Sequence, residues 1–248
     1  MSHTGEEAPG RPLIVRSETI EWQPFAPGSR SMVKRLRVSR ETGWLHAFVR
    51  GAAGQVNRPH THLGAASFFV LEGGFDFRGG SAIAGDWVWE PVGAVHEATT
   101  HHVDTLYIAT VHGPVKYLTD EEVSASGSDA IGGALVRTTE LNWTADGHGN
   151  EVKVLRTNPE TGFMHLLVQA RAGQTNSPRS FLGPAEIHIL EGAIDINGST
   201  VRAGDWIWQP AGSDHAESSH PADTVYLANF YGPTAFRRAD GSISTVMD

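Results

Sequence analysis

The stretch RPHTHLGAASFFVLEG, residues 58–73, sets His60 and His62 one residue apart, just ahead of an apolar run that ends in glycine. Residues two apart on a β-strand point to the same face, so this spacing presents two imidazoles side by side. A neutral imidazole nitrogen is a ligand for divalent transition metals. A lone pair of this kind also fits a solvent-facing strand, so a third donor must decide. Downstream, GDWVWEPVGAVH carries Gly85, Pro91, Gly93 and His96 at the spacing of a strand, a tight turn and a returning strand, which can bring His96 back to the pair. The chain has no cysteine, so a metal here must be held by His, Asp or Glu, and thiolate clusters and disulfides are excluded.

The elements that must position these histidines are written twice. Sliding the 248-residue sequence by 119 positions aligns residues 33–114 with 152–233 without a gap, with about 37 of 82 positions identical. VKRLRVSRETGWLHAFVRGAAGQ matches VKVLRTNPETGFMHLLVQARAGQ, and AGDWVWEPVGAVH matches AGDWIWQPAGSDH. The lead-ins IVRSETIEW and LVRTTELNW match as well, and the intervening TDEEVSASGSDAIGGA is polar and rich in Ser and Gly. The expected organisation is one domain over residues 1–120, a linker over 121–133 and a second domain over 134–248. Within each copy, short runs such as FFVLEG, FDFRGG, DWVWEP and DTLYIAT are broken by Gly, Pro and Asp, which predicts antiparallel strands and an all-β sandwich or barrel. Helical spacing is confined to a turn or two near LTDEEV.

Composition narrows the partners. The 19 basic and 28 acidic residues give a formal charge of −9, and no cluster of Lys and Arg is present to follow a phosphate backbone, which argues against nucleic acid. No apolar stretch approaches the roughly 18–20 residues of a membrane span, and the start MSHTGEEAPG does not read as a signal peptide. The expectation is a soluble cytoplasmic protein with no membrane partner.

With Gly54, His60, His62 and Gly73 in a first motif and Gly85, Pro91, Gly93 and His96 in a second, the sequence resembles the cupin family. Because both halves carry the frame, the resemblance implies a tandem cupin, two double-stranded β-helix (jelly-roll) barrels in one chain. Two positions depart from the family pattern: Ala66 stands where a glutamate ligand is usual, and Thr100 where an asparagine is. A glutamate-free set of three histidines is similar to that of the acetylacetone-cleaving (β-diketone) and dihydroxyacetophenone dioxygenases, and the likeness to the former extends to LRVSRET, HLG and FRGGSAIAGD. The resemblance implies Fe(II), with zinc, nickel or manganese as alternatives, and cleavage of a carbon–carbon bond beside a carbonyl. The partners would be dioxygen and a small diketone or hydroxy-ketone bound as its enolate, with a homodimer as one option for assembly. For the third ligand, the usual spacing favours His96, whereas the acetylacetone-cleaving pattern aligned on RGGSAIAGD places it at His102. His102 is then the alternative ligand or a pocket residue. Glu90 or Arg78 would orient the chelate or fix a ligand tautomer, Phe68 would wall the pocket, and His46 would line it or serve as a core histidine.

The second copy is an internal control. There His60 and His62 become Arg179 and Phe181, Glu90 becomes Gln209, Arg78 becomes Asn197 and His102 becomes Pro221, while His96 survives as His215. One histidine cannot hold a metal, so the second copy reads as structural, with an anion beside Arg179 and His215 as the lesser option. Trp87 and Trp89 recur as Trp206 and Trp208, which marks them as packing residues. Two rival functions remain: an isomerase or lyase that uses the ion only as a Lewis acid, and a zinc-binding regulatory cupin resembling the C-terminal domain of ChrR-type anti-sigma factors.

Overall fold

Each alternating apolar run becomes a strand of an antiparallel barrel. The computed structural model describes residues 11–78, 80–126, 132–232, 235–238 and 240–245. The chain divides into two compact units, one spanning Ile20–Glu140 and the other Leu141–Asp248 together with the segment that ends at Thr19.

In the first unit a seven-stranded sheet runs in the order Ala134–Arg137, Asp86–Glu90, Ala66–Glu72, Thr105–His112, Trp44–Gly51, Met32–Val38 and Gln23–Pro24. A second layer is built from His60–His62 between Val95–His96 and Val115–Tyr117, from the pair Val56–Asn57 and Thr99–Thr100, and from the hairpin Gly74–Phe77 with Gly80–Ile83. Between the layers lie Val70, Phe75, Phe77, Ala82 and Val88, continued by Val33, Ala47, Val49 and Ala109. The other face of the large sheet is buried too, with Trp87 and Trp89 stacked at 6.1 Å. Strands buried on both faces read as continuous apolar runs, which explains DWVWE and FFVLE.

The second unit repeats the plan, with Leu13–Val15, Trp206–Gln209, Ala185–Glu191, Thr224–Tyr231, Phe163–Ala170, Glu151–Asn158 and Thr144–Ala145 as its large sheet. The one helix predicted near LTDEEV forms over Asp120–Ser126. Its capping box is complete: Glu122 N–H donates to Thr119 Oγ1 at 3.2 Å and Thr119 N–H to Glu122 Oε2 at 2.8 Å. Residues 127–131 of the expected linker fall outside the described residues.

The repeat boundary near residue 134 and the boundary of the compact units do not coincide. The first strand of each copy completes the sheet of the other unit: Leu13, Ile14 and Val15 pair with Trp208, Ile207 and Trp206, and Ala134–Arg137 pairs with Asp86–Trp89. Matching ion pairs fasten both, Arg16 to Asp205 at 2.5 Å and Arg137 to Asp86. Each exchanged strand also places an aliphatic side chain in the core it joins, Ile14 beside Ile187 and Ile207, and Leu135 beside Val70 and Val88.

Ile14→Ala is therefore expected to destabilise the second unit and Leu135→Ala the first, each by about 2 kcal/mol, the low end for such truncations because both side chains are partly exposed. Hydrogen exchange should quicken in Trp206–Gln209 for the former and in Asp86–Glu90 for the latter. The reverse pattern would contradict the exchange.

Candidate metal centre

Register brings the three histidines together. His60 and His62 share a face of their short strand, and the antiparallel pairing of Val95–His96 sets His96 directly opposite His60. The rings of His60 and His96 stack at 4.6 Å, and His62 lies 5.0 Å from one and 5.1 Å from the other. Their ligand nitrogens all lie within 4.8 Å of one another, and His62 Nε2 and His96 Nε2 are 3.1 Å apart. Two nitrogens bound to one ion at about 2.0–2.1 Å are roughly 2.9–3.4 Å apart at octahedral to tetrahedral angles, so this separation suits two ligands of one metal. Among the described residues this is the one group of three such donors.

Protonation favours the same use. His60 Nδ1 lies 2.8 Å from the Arg58 carbonyl oxygen, which can only accept, so Nδ1 carries the hydrogen and Nε2 keeps its lone pair. Burial, then the charges of His60 and Arg78, push the His62 imidazole down from 6.5 to about 4. Burial, with His60, His62 and Arg78, pushes His96 down to about 2. Burial lowers His60 as well, against the Arg58 hydrogen bond. All three are neutral donors at neutral pH.

The histidines open into space. A cavity of about 60 Å³ is lined by them with Phe68, Phe75, Phe77, Val88 and Tyr107. A larger one of about 450 Å³ shares His60, His62, Phe68 and Tyr107 with it, and adds Arg58, Val111, Val115 and Tyr117. Phe68 stands 6.3 Å from the His62 ring, where the sequence places it as a wall.

Arg78 and Glu90 meet beside the third histidine. Arg78 Nη2 donates to Glu90 Oε2 at 2.9 Å, and Glu90 Oε1 lies 3.3 Å from His96 Nε2. Burial raises the Glu90 carboxyl to about 7, with the Arg78 hydrogen bond and charge opposing it. Arg78 follows Phe77, which pairs with Gly80 across the hairpin, and its φ is 47°. Its counterpart Asn197 has φ 49°. Asparagine tolerates this left-handed conformation, whereas an arginine there is strained by about 1–2 kcal/mol. An arginine kept against that cost is explained by its reach to Glu90.

Two expected residues lie elsewhere. His102 is exposed, its Nε2 on Asp76 Oδ1 at 2.6 Å, because its neighbour His101 takes the inward position instead. His101 is stacked on Tyr107 at 5.9 Å and its Nε2 lies 3.4 Å from Asn57 Nδ2. The second copy repeats that arrangement with His220, Tyr226 and Asn176, so His101 belongs to the fold. Its identity in both copies was the available signal. His46 is fully buried on the sheet face opposite the cavity: Ala47 and Val49 point into the barrel, and His46 sits between Trp44 and His112. It does not line the pocket.

In the second unit, His215 meets the Gln209 amide and the Phe181 ring, 4.8 Å away. The corresponding cavity, about 80 Å³, is lined largely by aliphatic and aromatic side chains.

A family model for the ChrR cupin-like domain matches the sequence twice, over residues 11–116 and 132–235. The chain belongs to this family. A crystal structure of a candidate dioxygenase from Nostoc punctiforme PCC 73102 is similar with a TM-score of 0.75, at 12% identity over 96% of this chain and 87% of that one. A mutant of Bacillus subtilis oxalate decarboxylase is similar at 0.63, with 13% identity over 94% of this chain and 79% of that one. The same decarboxylase at pH 4.6 gives 0.61, with 13% identity over 89% and 76%. At such identities the likeness is one of fold, and this ChrR-like cupin chain is a tandem cupin. No curated protein matches the sequence at a significant level. No helix among the described residues is long and apolar enough to cross a membrane.

The geometry predicts one metal per chain. His60→Ala, His62→Ala and His96→Ala should each reduce bound metal to near zero, while His102→Ala and His215→Ala should leave it unchanged, read by elemental analysis of the purified variants. Loss of metal in His102→Ala with retention in His96→Ala would reverse the assignment of the third ligand.

Proposed function

We propose that this ChrR-like cupin is a metal-dependent dioxygenase that uses Fe(II) at His60, His62 and His96 to cleave a carbon–carbon bond beside a carbonyl in a small diketone or hydroxy-ketone. The observation that carries the reading is the convergence of three neutral imidazoles, two of which, His60 and His62, also line a cavity large enough for a small ligand. Bound iron would supply Lewis acidity toward carbonyl oxygens and a redox partner for dioxygen.

The chain's own residues supply the remainder. The Arg58 carbonyl fixes the His60 tautomer. Phe68, Phe75 and Tyr107 make an apolar wall that excludes water and suits a compact carbon skeleton. Arg58, over the Tyr117 ring at 5.3 Å, lends positive charge to the side of the larger cavity, where it favours an oxygen-rich, electron-rich ligand such as an enolate. The Nostoc fold relative, described as a candidate dioxygenase, is consistent with this chemistry. The manganese centres named for the oxalate decarboxylase keep manganese among the metals to be tried.

Membership in the ChrR cupin-like family favours a second reading, a regulatory domain that holds zinc without turnover. Oxygen uptake separates the two. Protein purified without oxygen and loaded with Fe(II) is expected to consume dioxygen in proportion to cleaved product with a member of a panel of diketones and hydroxyacetophenones, and almost none without substrate. Zinc-loaded protein should be inactive, because zinc has no redox chemistry. Conversion of a carbonyl substrate by the zinc form in the absence of oxygen would replace the dioxygenase reading with an isomerase or lyase. Tight zinc with no turnover of any substrate by the iron form would favour the regulatory domain.

A further inference from the structure

The carboxylate of Glu90 ends beside His96, although its strand carries none of the three histidines. The side chain is 0% exposed, and a carboxylate so placed is tolerated only with specific partners. Arg78 satisfies one oxygen, Oε2. The other, Oε1, is buried with no hydrogen-bond partner among the described residues and stands 3.3 Å from His96 Nε2. That nitrogen is also 3.1 Å from His62 Nε2. One atom of His96 is thus approached by an imidazole nitrogen and by a carboxylate oxygen, both within the roughly 2.9–3.4 Å expected between neighbouring ligands of one ion.

Three further observations bear on this oxygen. Glu90 is paired in register with Ala66, and both side chains point into the barrel, as Val88 and Phe68 do two residues along. The neighbouring strand therefore sets a carboxylate residue opposite Ala66 on the same face. Gly133 closes the cradle from behind: a Cβ there would come within 2.8 Å of Glu90 Cδ and Oε1. In the second copy, which lacks the histidine pair, the same position is Gln209, whose amide meets His215 and accepts from Ser213 Oγ at 3.1 Å. A neutral amide fills the place equally well, so the fold does not demand a charge there. The charge accompanies the histidines.

We propose that Glu90 is a fourth protein ligand of the metal, with Oε1 completing the set begun by His60, His62 and His96 and Oε2 held by Arg78. The inference rests on the metal site above and not on the reaction assigned to it. Three nitrogens and one carboxylate oxygen make a donor set suited to iron, manganese or zinc, and supply one negative charge from the protein itself.

The test uses the full chain, stripped of metal and titrated with cobalt(II) and zinc(II) against a competing chelator. Wild-type protein should bind one equivalent; failure to bind would overturn the site together with this ligand. Glu90→Gln keeps size and hydrogen bonding and should weaken both metals by at least about tenfold, and the cobalt visible spectrum should change in shape and intensity because a ligand has been replaced. Restoring a carboxylate from the facing position, in the double variant Ala66→Glu with Glu90→Gln, should recover most of the affinity and return the spectrum toward wild type. Circular dichroism establishes that each variant is folded. If wild type binds but Glu90→Gln keeps either its affinity or its cobalt spectrum, the three-histidine site stands and Glu90 is not a ligand. A folded double variant that regains nothing overturns the proposal too.

Discussion

The pairing of His96 with His60 across two short antiparallel strands is the constraint on which the site depends. It sets a two-residue repeat on one strand against a single residue on its neighbour, so three rings meet with no loop to adjust them. A slip of one residue would turn His60 and His62 to the opposite face and leave His96 against Thr61. The tight turn at Pro91–Gly93 guards against that slip. His62 N–H donates to the Ala94 carbonyl, and Gly93 N–H, at φ 81°, donates to the His62 carbonyl. The geometry of the donors is thus a property of backbone register, and the metal chemistry proposed for them follows from it.

Much of this was legible in the sequence, for reasons specific to the residues. The spacing of His60, His62 and His96 survives translation into structure because strand parity is rigid and the connecting turn is marked by Pro and Gly. The second copy sharpened the reading by showing which side chains the barrel keeps when no donor pair is present. Legibility ended where neighbours come from distant strands. His101 and His102 are adjacent, and only the packing of His101 on Tyr107 decides which points inward. His46 and Ala47 differ by one step of parity, and which face held the cavity could not be read from the run itself.

Ala66 shows the same limit more sharply. Read along the chain, it marks a missing carboxylate. Read across the sheet, it is the small residue that register sets opposite the carboxylate of Glu90. A motif records the residues of one strand and its turn, whereas the surroundings of a donor are filled from whichever strands lie beside it. Arg78 belongs to this second class: its turn position is visible in the sequence, but its bond to Glu90 is not.

The exchange of first strands gives the silent copy a physical reason to persist. Neither copy contains all the strands of its own large sheet, since Leu13–Val15 completes the second unit and Ala134–Arg137 the first. The strand that borders Asp86–Glu90 is therefore encoded by the copy without the histidine pair, and Gly133, which shields Glu90, precedes it directly. Removing the second copy would strip Trp87 and Trp89 of their backbone partners on one edge, leaving those in Ala66–Glu72, and open the back of the Arg78–Glu90 pair. A duplicated barrel can lose its donors, as Arg179, Phe181 and Gln209 show, and still be required, because the surviving site is built partly from its residues.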